Sequence, residues 1–313
     1  MTKTALQRPI GGVITALVTP FRDGALDSVG LMAHVEWQLL SGIDGLLACS
    51  LSGEGPVLDE AERARVIEIC VELAEGRVPV IVATGTNDTA TTIEETRQAE
   101  KLGAEAAFVT LPYYSKPTQK GIIHHFERLA ESTDLPLIIH NLPSHTAVDL
   151  TPMTIARLAE IPSIVGIADG TGDVTRVGAW RPLLPERIGL YSTHDATALA
   201  FTLAGGRGSF SSAANIVPRL CHSMQMSAGC DHLAAARSID DRLQLLFKAL
   251  SRESEPAVVK HALALMKGMP ADVRLPLTGV EAETDVAIQT AIASLRLDCD
   301  HRVTAPLAFR LGL

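Results

Sequence analysis

The chain has 313 residues, about the length of one α/β barrel of ~250 residues with an extension. Its formal net charge of −9 argues against nucleic acid as a partner, because phosphate binding needs clustered Lys and Arg. No apolar run reaches the ~20 residues of a membrane-spanning helix, and the N-terminal segment lacks the apolar stretch of a signal peptide. We therefore expect a cytoplasmic protein with no membrane partner and with reduced thiols at its 5 cysteines.

Eight short segments rich in β-branched residues end in turn residues, a pattern typical of buried strands. The predicted strands are Gly12–Pro20, Asp44–Ser52, Val78–Gly85, Ala106–Leu111, Leu135–Asn141, Ile164–Ala168, Ile188–Thr193 and Gly208–Ser212. The helical segments between them are Ser28–Gly42, Asp59–Gly76, Thr89–Gly103, Thr118–Ser132, Thr151–Glu160, Val174–Leu184 and Thr197–Gly205. Several of these begin at a capping residue, as at Asp59, or end on glycine, as at Gly42.

Strands separated by helices pair in parallel, since a parallel crossover needs a dozen or more residues. Eight such units predict an α/β fold, a (β/α)8 TIM barrel. A doubly wound open sheet is the competing fold, and it is disfavoured because the first strand reads TALVTPF with no glycine-rich phosphate turn after it.

The chain after Asn215 shows no further strand pattern. Helices are predicted near Pro218–Ala228, His232–Ser251 and Pro256–Met266, and a last amphipathic segment runs from about Glu281 to Leu297. We expect residues 1–217 to form the barrel and residues 218–313 to form a C-terminal helical extension packed on it.

In a TIM barrel the reacting groups lie at the C-terminal ends of the strands and in the loops that follow. Here those ends are rich in hydroxyls and imidazoles and poor in fixed positive charge. The segments concerned are Ser50–Glu54, Gly85–Asp88, Pro112–Pro117, His140–Thr146, Ile167–Gly172, Thr193–Asp195 and Ser211–Asn215.

Several of these segments belong to longer motifs that occur in a recognisable order. They are TALVTPF, SGEGPVLDEAER, GTND, LPYYSKPTQKGIIHHF, LPLIIHNLPSHTAVDL, IVGIADGTGD and HDATALAFTLAGGRGSFSSAANI. From about Gly11 to Leu297 the chain resembles dihydrodipicolinate synthase and N-acetylneuraminate lyase. The resemblance implies an aldolase-type lyase without a cofactor, whose subunits form a homo-oligomer, a dimer or a tetramer.

The resemblance also implies roles for single residues. The family's carboxylate loop, G-T-T-G-E, corresponds to Ser50–Glu54, so the Ser52 hydroxyl and the backbone N–H groups of the Gly53 turn would hold a carboxylate. Leu51 stands where the family has a proton-relay threonine. Tyr114 matches the relay tyrosine that one subunit extends into its neighbour's site.

Two further positions carry histidine in place of the family's residues. His140 stands at the third relay position, where the family has tyrosine, and His145 stands where an arginine grips the second substrate's carboxylate. Imidazole can exchange protons near neutral pH, so His140 is the main candidate for acid–base catalysis; the alternative is a spacer bonded to nearby hydroxyls. His145 and His194 would bind an anionic ligand when protonated, or else are exposed loop residues.

The largest departure lies on the sixth predicted strand. The family's lysine, in the motif G-I-K-E, is replaced by Ala168 in Gly166–Asp169. The alanine side chain carries no amine, so this position cannot form an imine with pyruvate. Lys116 is the one lysine near a predicted strand end, and it lies on the rim, where solvent would keep it charged.

Apolar replacements predict a change in the shape of the site. Phe210, near the end of the eighth strand, adds apolar bulk beside Leu51. Loss of the lysine and of a threonine predicts a roomier, drier site that accepts a larger or less polar acid than pyruvate. Asp169 is expected to turn away from this site if Ala168 points into it, because side chains alternate along a strand.

Three hypotheses follow from the sequence. The first is an enzyme that binds a small carboxylic or 2-oxo acid without an imine, with Ser52 and Gly53 holding the carboxylate and His140 and Tyr114 moving protons. The second is a catalytically retired barrel that binds a metabolite or a partner subunit. The third is a metal-assisted lyase using His140 and His194, although the chain has no metal-binding motif and we expect no metal.

Overall fold

The computed structural model of the protein describes residues 9–295. The eight predicted strands form one closed barrel, in which each strand pairs in parallel with its neighbours in the chain and the last pairs with the first. The strands are β1 Gly12–Ala16, β2 Gly45–Ala48, β3 Val80–Ala83, β4 Ala106–Thr110, β5 Leu137–Asn141, β6 Ile164–Asp169, β7 Gly189–Ser192 and β8 Gly208–Ser211. The predicted TIM barrel is therefore confirmed.

Most strands end earlier than predicted. β2 stops at Ala48 because Cys49 takes a left-handed backbone conformation, with φ of 57°, that no strand continues. A small antiparallel hairpin, Phe21–Arg22 with Ala25–Leu26, follows β1 and was not predicted. Its turn residues, Asp23 and Gly24, both have positive φ, and this pair is a recognised turn signal.

Helices cover the outside of the barrel. They are α1 Ser28–Leu40, α2 Glu60–Ala74, α3 Thr89–Lys101, α4 Gln119–Ser132, α5 Pro152–Leu158, α6 Thr175–Trp180 and α7 Ala198–Leu203. The Asp59 carboxylate accepts a hydrogen bond from the Glu62 N–H, and the Glu62 side chain accepts one from the Asp59 N–H. The predicted capping residue of α2 thus forms a capping box.

Four more helices follow the last strand: α8 Pro218–Gly229, α9 Leu233–Leu250, α10 Glu255–Lys267 and α11 Ala282–Ser294. Their buried residues, such as Leu246 and Val259, form one apolar cluster with Val13 of β1. The predicted helical extension thus packs on the barrel, while the part of it after residue 295 lies outside the described residues. No helix within residues 9–295 is long and apolar enough to cross a membrane.

The interior of the barrel has its own apolar cluster. Inward side chains from several strands meet there, including Ile14, Leu47, Phe108, Ala168 and Phe210. Because the barrel centre is packed with side chains, polar groups that act on a ligand are confined to the mouth at the C-terminal ends of the strands.

Candidate active site at the barrel mouth

The centre of the site is formed by two neighbouring strands. His140 of β5 pairs with Ala168 of β6, and both side chains face the barrel interior. Asp169, the next residue, accepts a hydrogen bond from Asn141 Nδ2 at 2.8 Å and lies 3.6 Å from Arg176 outside the barrel. The structure thus shows the predicted alternation, with Ala168 turned inward and Asp169 turned away.

His140 is held between two threonine hydroxyls. Its Nδ1 lies 3.0 Å from Thr110 Oγ1, and its Nε2 lies 3.3 Å from Thr193 Oγ1. Burial, and then the nearby charge of His145, lower the pKa of His140 from 6.5 to about 3. The unliganded imidazole is therefore neutral at physiological pH, with one ring nitrogen donating a hydrogen bond and the other accepting one.

Aromatic rings fill the space beneath this histidine. The Phe108 ring centroid lies 4.6 Å from the His140 ring and 4.6 Å from the Phe210 ring, and Phe210 meets Tyr191 at 5.4 Å. Ala168 has 0% exposed surface, so no water-sized space adjoins it. The expectation of a roomier site is wrong beside Ala168. The aromatic rings fill the space that alanine, being smaller than the expected lysine, would leave open. The site is dry here, and any ligand space lies above Ala168.

The loop after β2 forms a tight turn that leaves two amides unused. The Gly53 N–H donates to the Ser50 carbonyl at 3.1 Å, and the Glu54 N–H donates to the Leu51 carbonyl at 3.1 Å. The N–H groups of Leu51 and Ser52 have no acceptor within residues 9–295. Consecutive free amides of this kind suit an anion. Gly53 contributes by its shape, because a Cβ there would lie 2.6 Å from the Leu17 carbonyl oxygen.

The side chains beside this turn have carboxylate partners. The Ser52 hydroxyl donates to Glu255 Oε1 of α10. The Ser212 hydroxyl donates to Asp195 Oδ2 at 3.0 Å, and the Ala213 N–H donates to the same oxygen at 2.9 Å. Glu255 is exposed as a whole residue, and its contact with Ser52 is half-buried. Desolvation raises the pKa of both Glu255 and Asp195, and their mutual repulsion adds to the rise for Glu255.

The remaining predicted residues lie at the rim. His145 is exposed, with Nδ1 3.0 Å from Ser144 Oγ, and His194 is exposed, with Nδ1 3.0 Å from Thr197 Oγ1. Tyr114 is 88% exposed on its loop and has a left-handed φ of 68°. The structure thus brings Ser52, Leu51 and His140 into the mouth and leaves Tyr114 pointing into solvent.

Residues 9–295 contain neither a lysine on a barrel strand nor a cluster of side chains that could bind a metal ion. No described lysine lies on a barrel strand, and Lys116 is an exposed rim residue. Within residues 9–295, no three or more His, Cys, Asp or Glu side chains are grouped so that they could hold a metal ion. The metal-assisted hypothesis therefore gains no geometric support from His140 and His194.

Sequence reasoning assigned no role to several residues that the structure brings to the site. Thr110 and Thr193 were recognisable only as hydroxyls at strand ends. Glu255 follows Ser52 by 203 residues and lies one residue before the helix predicted at Pro256–Met266. No local pattern links positions so far apart, so only the fold could reveal this contact.

Known proteins have the same architecture over nearly the whole chain. The model of the dihydrodipicolinate synthetase family matches residues 9–295. The 4-hydroxy-tetrahydrodipicolinate synthase of Methylococcus capsulatus is 43% identical over 284 residues, which are 90% of this chain and 98% of that protein. The Brucella abortus enzyme of the same name is 42% identical over 283 residues, 90% of this chain and 97% of its own length.

Solved structures agree with these relatives. The chloride-inhibited dihydrodipicolinate synthase of Acinetobacter baumannii, complexed with pyruvate, superposes with a TM-score of 0.89 at 38% identity and covers 92% of this chain and 99% of its own. The Thermotoga maritima enzyme has a TM-score of 0.89 at 33% identity, with 91% and 98% covered. The chain belongs to the dihydrodipicolinate synthetase family, whose members are aldolase-type lyases.

Proposed function

We propose that this protein binds a small carboxylic or 2-oxo acid at the C-terminal face of its barrel and does so without forming an imine. The observation that carries the proposal is the inward position of Ala168, whose methyl group lies beside His140 where the resemblance expects the lysine. An imine needs a primary amine, and no described lysine lies on a barrel strand to supply one.

The carboxylate of the ligand would bind at the turn after β2. The free N–H groups of Leu51 and Ser52 can both donate to one carboxylate, as in other anion-binding turns. His145 and His194, at the rim, would add positive charge when protonated. Gly53 would keep the turn close to the Leu17 backbone, while Leu51 and Phe210 would provide apolar contact.

His140 would move the proton in this proposal. Its pKa of about 3 makes the unliganded imidazole a weak base. A carboxylate or enolate bound nearby would raise that pKa, because an opposite charge favours the protonated ring. Thr110 and Thr193 would orient the ring by hydrogen bonds to its two nitrogens. An enol-forming lyase, hydratase or isomerase step is compatible with this arrangement.

Reductive trapping tests the absence of an imine. Pyruvate followed by borohydride should leave the intact mass unchanged, while a family member that carries the strand lysine should gain a covalent adduct under the same treatment. An adduct on this protein would overturn the proposal, and peptide mapping would then show whether Lys116 carries it.

A thermal-shift screen of small carboxylic and 2-oxo acids tests binding itself. A ligand that binds only the folded state raises the midpoint of unfolding. We expect acids to stabilise the protein and neutral alcohols of the same size to leave it unchanged. No stabilisation by any acid at millimolar concentration would contradict the proposal.

A catalytically retired barrel is the second candidate, and the closed ring stack beneath His140 favours it. Because Ala168 adjoins no water-sized space, a ligand cannot contact this position directly. Turnover separates the two candidates. An active enzyme should lose turnover but retain ligand in the His140→Ala variant, whereas a retired barrel binds an acid that neither protein converts.

Tyr114 has a role in either candidate only if a neighbouring subunit receives it. Its 88% exposure leaves the ring unused within one chain. We therefore propose a homo-oligomer, a dimer or tetramer, in which Tyr114 enters the partner's site. Light scattering of the purified protein tests this assembly. A monomer that binds acids normally would remove Tyr114 from the site. The cytoplasmic location and the boundary at residue 217 remain predictions.

A further inference from the structure

The hydroxyl of Ser52 has only one hydrogen to donate. In the structure that hydrogen is directed to Glu255 Oε1. A hydroxyl cannot donate the same hydrogen to two carboxylates at full strength. A ligand carboxylate at the Leu51–Ser52 turn therefore meets a hydroxyl that a protein carboxylate already uses.

The position of Glu255 makes this contact more than incidental. Glu255 is the first residue of α10, and the next residue, Pro256, is buried, so the backbone that carries the carboxylate is fixed against the barrel. Ser212 of the loop after β8, whose hydroxyl donates to Asp195 Oδ2, lies near the same carboxylate on a second side. Asp195 lies close enough to repel it.

We propose that Glu255 is an internal carboxylate that competes with the ligand's carboxylate for the Ser52 hydroxyl and thereby limits which acids the site admits. The proposal rests on the proposed function, because it assumes that an acid binds at this turn. An incoming carboxylate has to displace Glu255 from Ser52 or bind without the hydroxyl. It also approaches the negative charge of Asp195. Acids with a single carboxylate are thus admitted more readily than dicarboxylates.

The proposal predicts the effect of neutralising one side chain. Glu255→Gln keeps the shape of the side chain, removes its charge and weakens the bond from Ser52. We expect pyruvate to bind this variant about 10-fold more tightly than the unsubstituted protein, since a charge-assisted hydrogen bond exceeds a neutral one by roughly that factor. Isothermal titration with pyruvate and with 2-oxobutanoate measures the change.

Glu283→Gln is the matched control. Glu283 lies in the first turn of α11, its side chain is 90% exposed, and its substitution removes the same charge from the helical extension. We expect no change in pyruvate affinity. An equal gain in both variants would reveal a long-range charge effect and overturn the proposal, as would unchanged or weaker binding in Glu255→Gln.

Ser52→Ala shows whether the competition acts through the hydroxyl. In the Ser52→Ala background, Glu255→Gln should tighten binding by much less than 10-fold, because the shared donor is absent and only the repulsion by Glu255 is removed. A full 10-fold gain in that background would overturn the proposal. If no acid binds any of these folded variants, the proposed function itself fails and this inference fails with it. If acids bind all of them equally, only the inference fails.

Discussion

Ser52 and Glu54 lie two residues apart on one loop, and both contact α10, yet their contacts differ in kind. Glu54 Oε1 pairs with Lys260 Nζ, and the two side chains are 1% and 0% exposed. Glu54 Oε2 accepts the Arg274 N–H at 2.8 Å, and Lys260 Nζ donates to the Asp272 carbonyl at 2.8 Å. Every charge in this contact has an opposite charge or a hydrogen-bond partner.

The Ser52 contact has no such balance. Its hydroxyl meets a carboxylate whose pKa is raised by desolvation, and a second carboxylate, Asp195, lies nearby. One loop is thus anchored at Glu54 by a matched ion pair, while Ser52 keeps a contact that, in our proposal, a ligand carboxylate displaces. We expect this anchor, rather than the Glu255 contact, to hold the loop in place.

The largest expected effect is on the anchor. Glu54→Gln leaves the Lys260 charge buried without its partner, and such a loss costs about 3–5 kcal/mol of the free energy of unfolding. Urea denaturation measures it. The control is Glu68→Gln, whose pair with Arg65 is 41% exposed on each side and should contribute about 0–1 kcal/mol. A loss of under about 1 kcal/mol in Glu54→Gln would show that the anchor is not what holds this loop.

His140 is a buried titratable group whose hydrogen-bond partners are two neutral threonine hydroxyls, so a pH titration measures the effect of burial without a charged partner. His140 has a folded-state pKa of about 3, below the ordinary 6.5, so the unfolded chain binds its proton first. Its contribution to stability is complete above pH 6.5 and is lost as the pH falls toward 3, at about 1.4 kcal/mol per pH unit. Between pH 6.5 and 5 this amounts to ~2 kcal/mol.

The variant His140→Gln isolates that contribution from those of His34 and His125, whose pKa values burial lowers to about 4. We expect the free energy of unfolding to fall less steeply with acid in the variant than in the unsubstituted protein. If the free energy of unfolding fell equally steeply with acid in both proteins, His140 would be charged in the folded protein near neutral pH. Burial would then not lower its pKa.

The smallest expected effect concerns Glu255 itself. Its folded-state pKa is raised, so ionisation at rising pH lowers the stability of the folded protein. Glu255→Gln removes this loss and should become more stable relative to the unsubstituted protein between pH 4 and 8. The gain should stay below about 1 kcal/mol, because the residue is partly open to screening solvent. If Glu255→Gln were less stable than the unsubstituted protein at pH 8, the Glu255 charge would stabilise the fold as the Glu54 charge does, and the two contacts would not differ.

Part of the candidate site could be predicted from strand order and alternation. The ends of β2, β5 and β6 had to meet at one mouth, since parallel barrel strands all point the same way. This placed Ser52, His140 and Ala168 together, with Asp169 outside. The bounds of strands were less predictable, because Cys49 leaves the strand through a backbone conformation that composition does not signal.

The sequence by itself determined the order of the strands and helices, the closed barrel and the residues that line its mouth, because these follow from periodicity and from chain direction. The tertiary structure alone decided how those residues are used. Ring packing closed the space beside Ala168, burial lowered the pKa of His140, and folding brought Glu255 to a hydroxyl 203 residues away. Each of these depends on side chains from distant segments meeting in a low-dielectric interior, which local sequence does not encode.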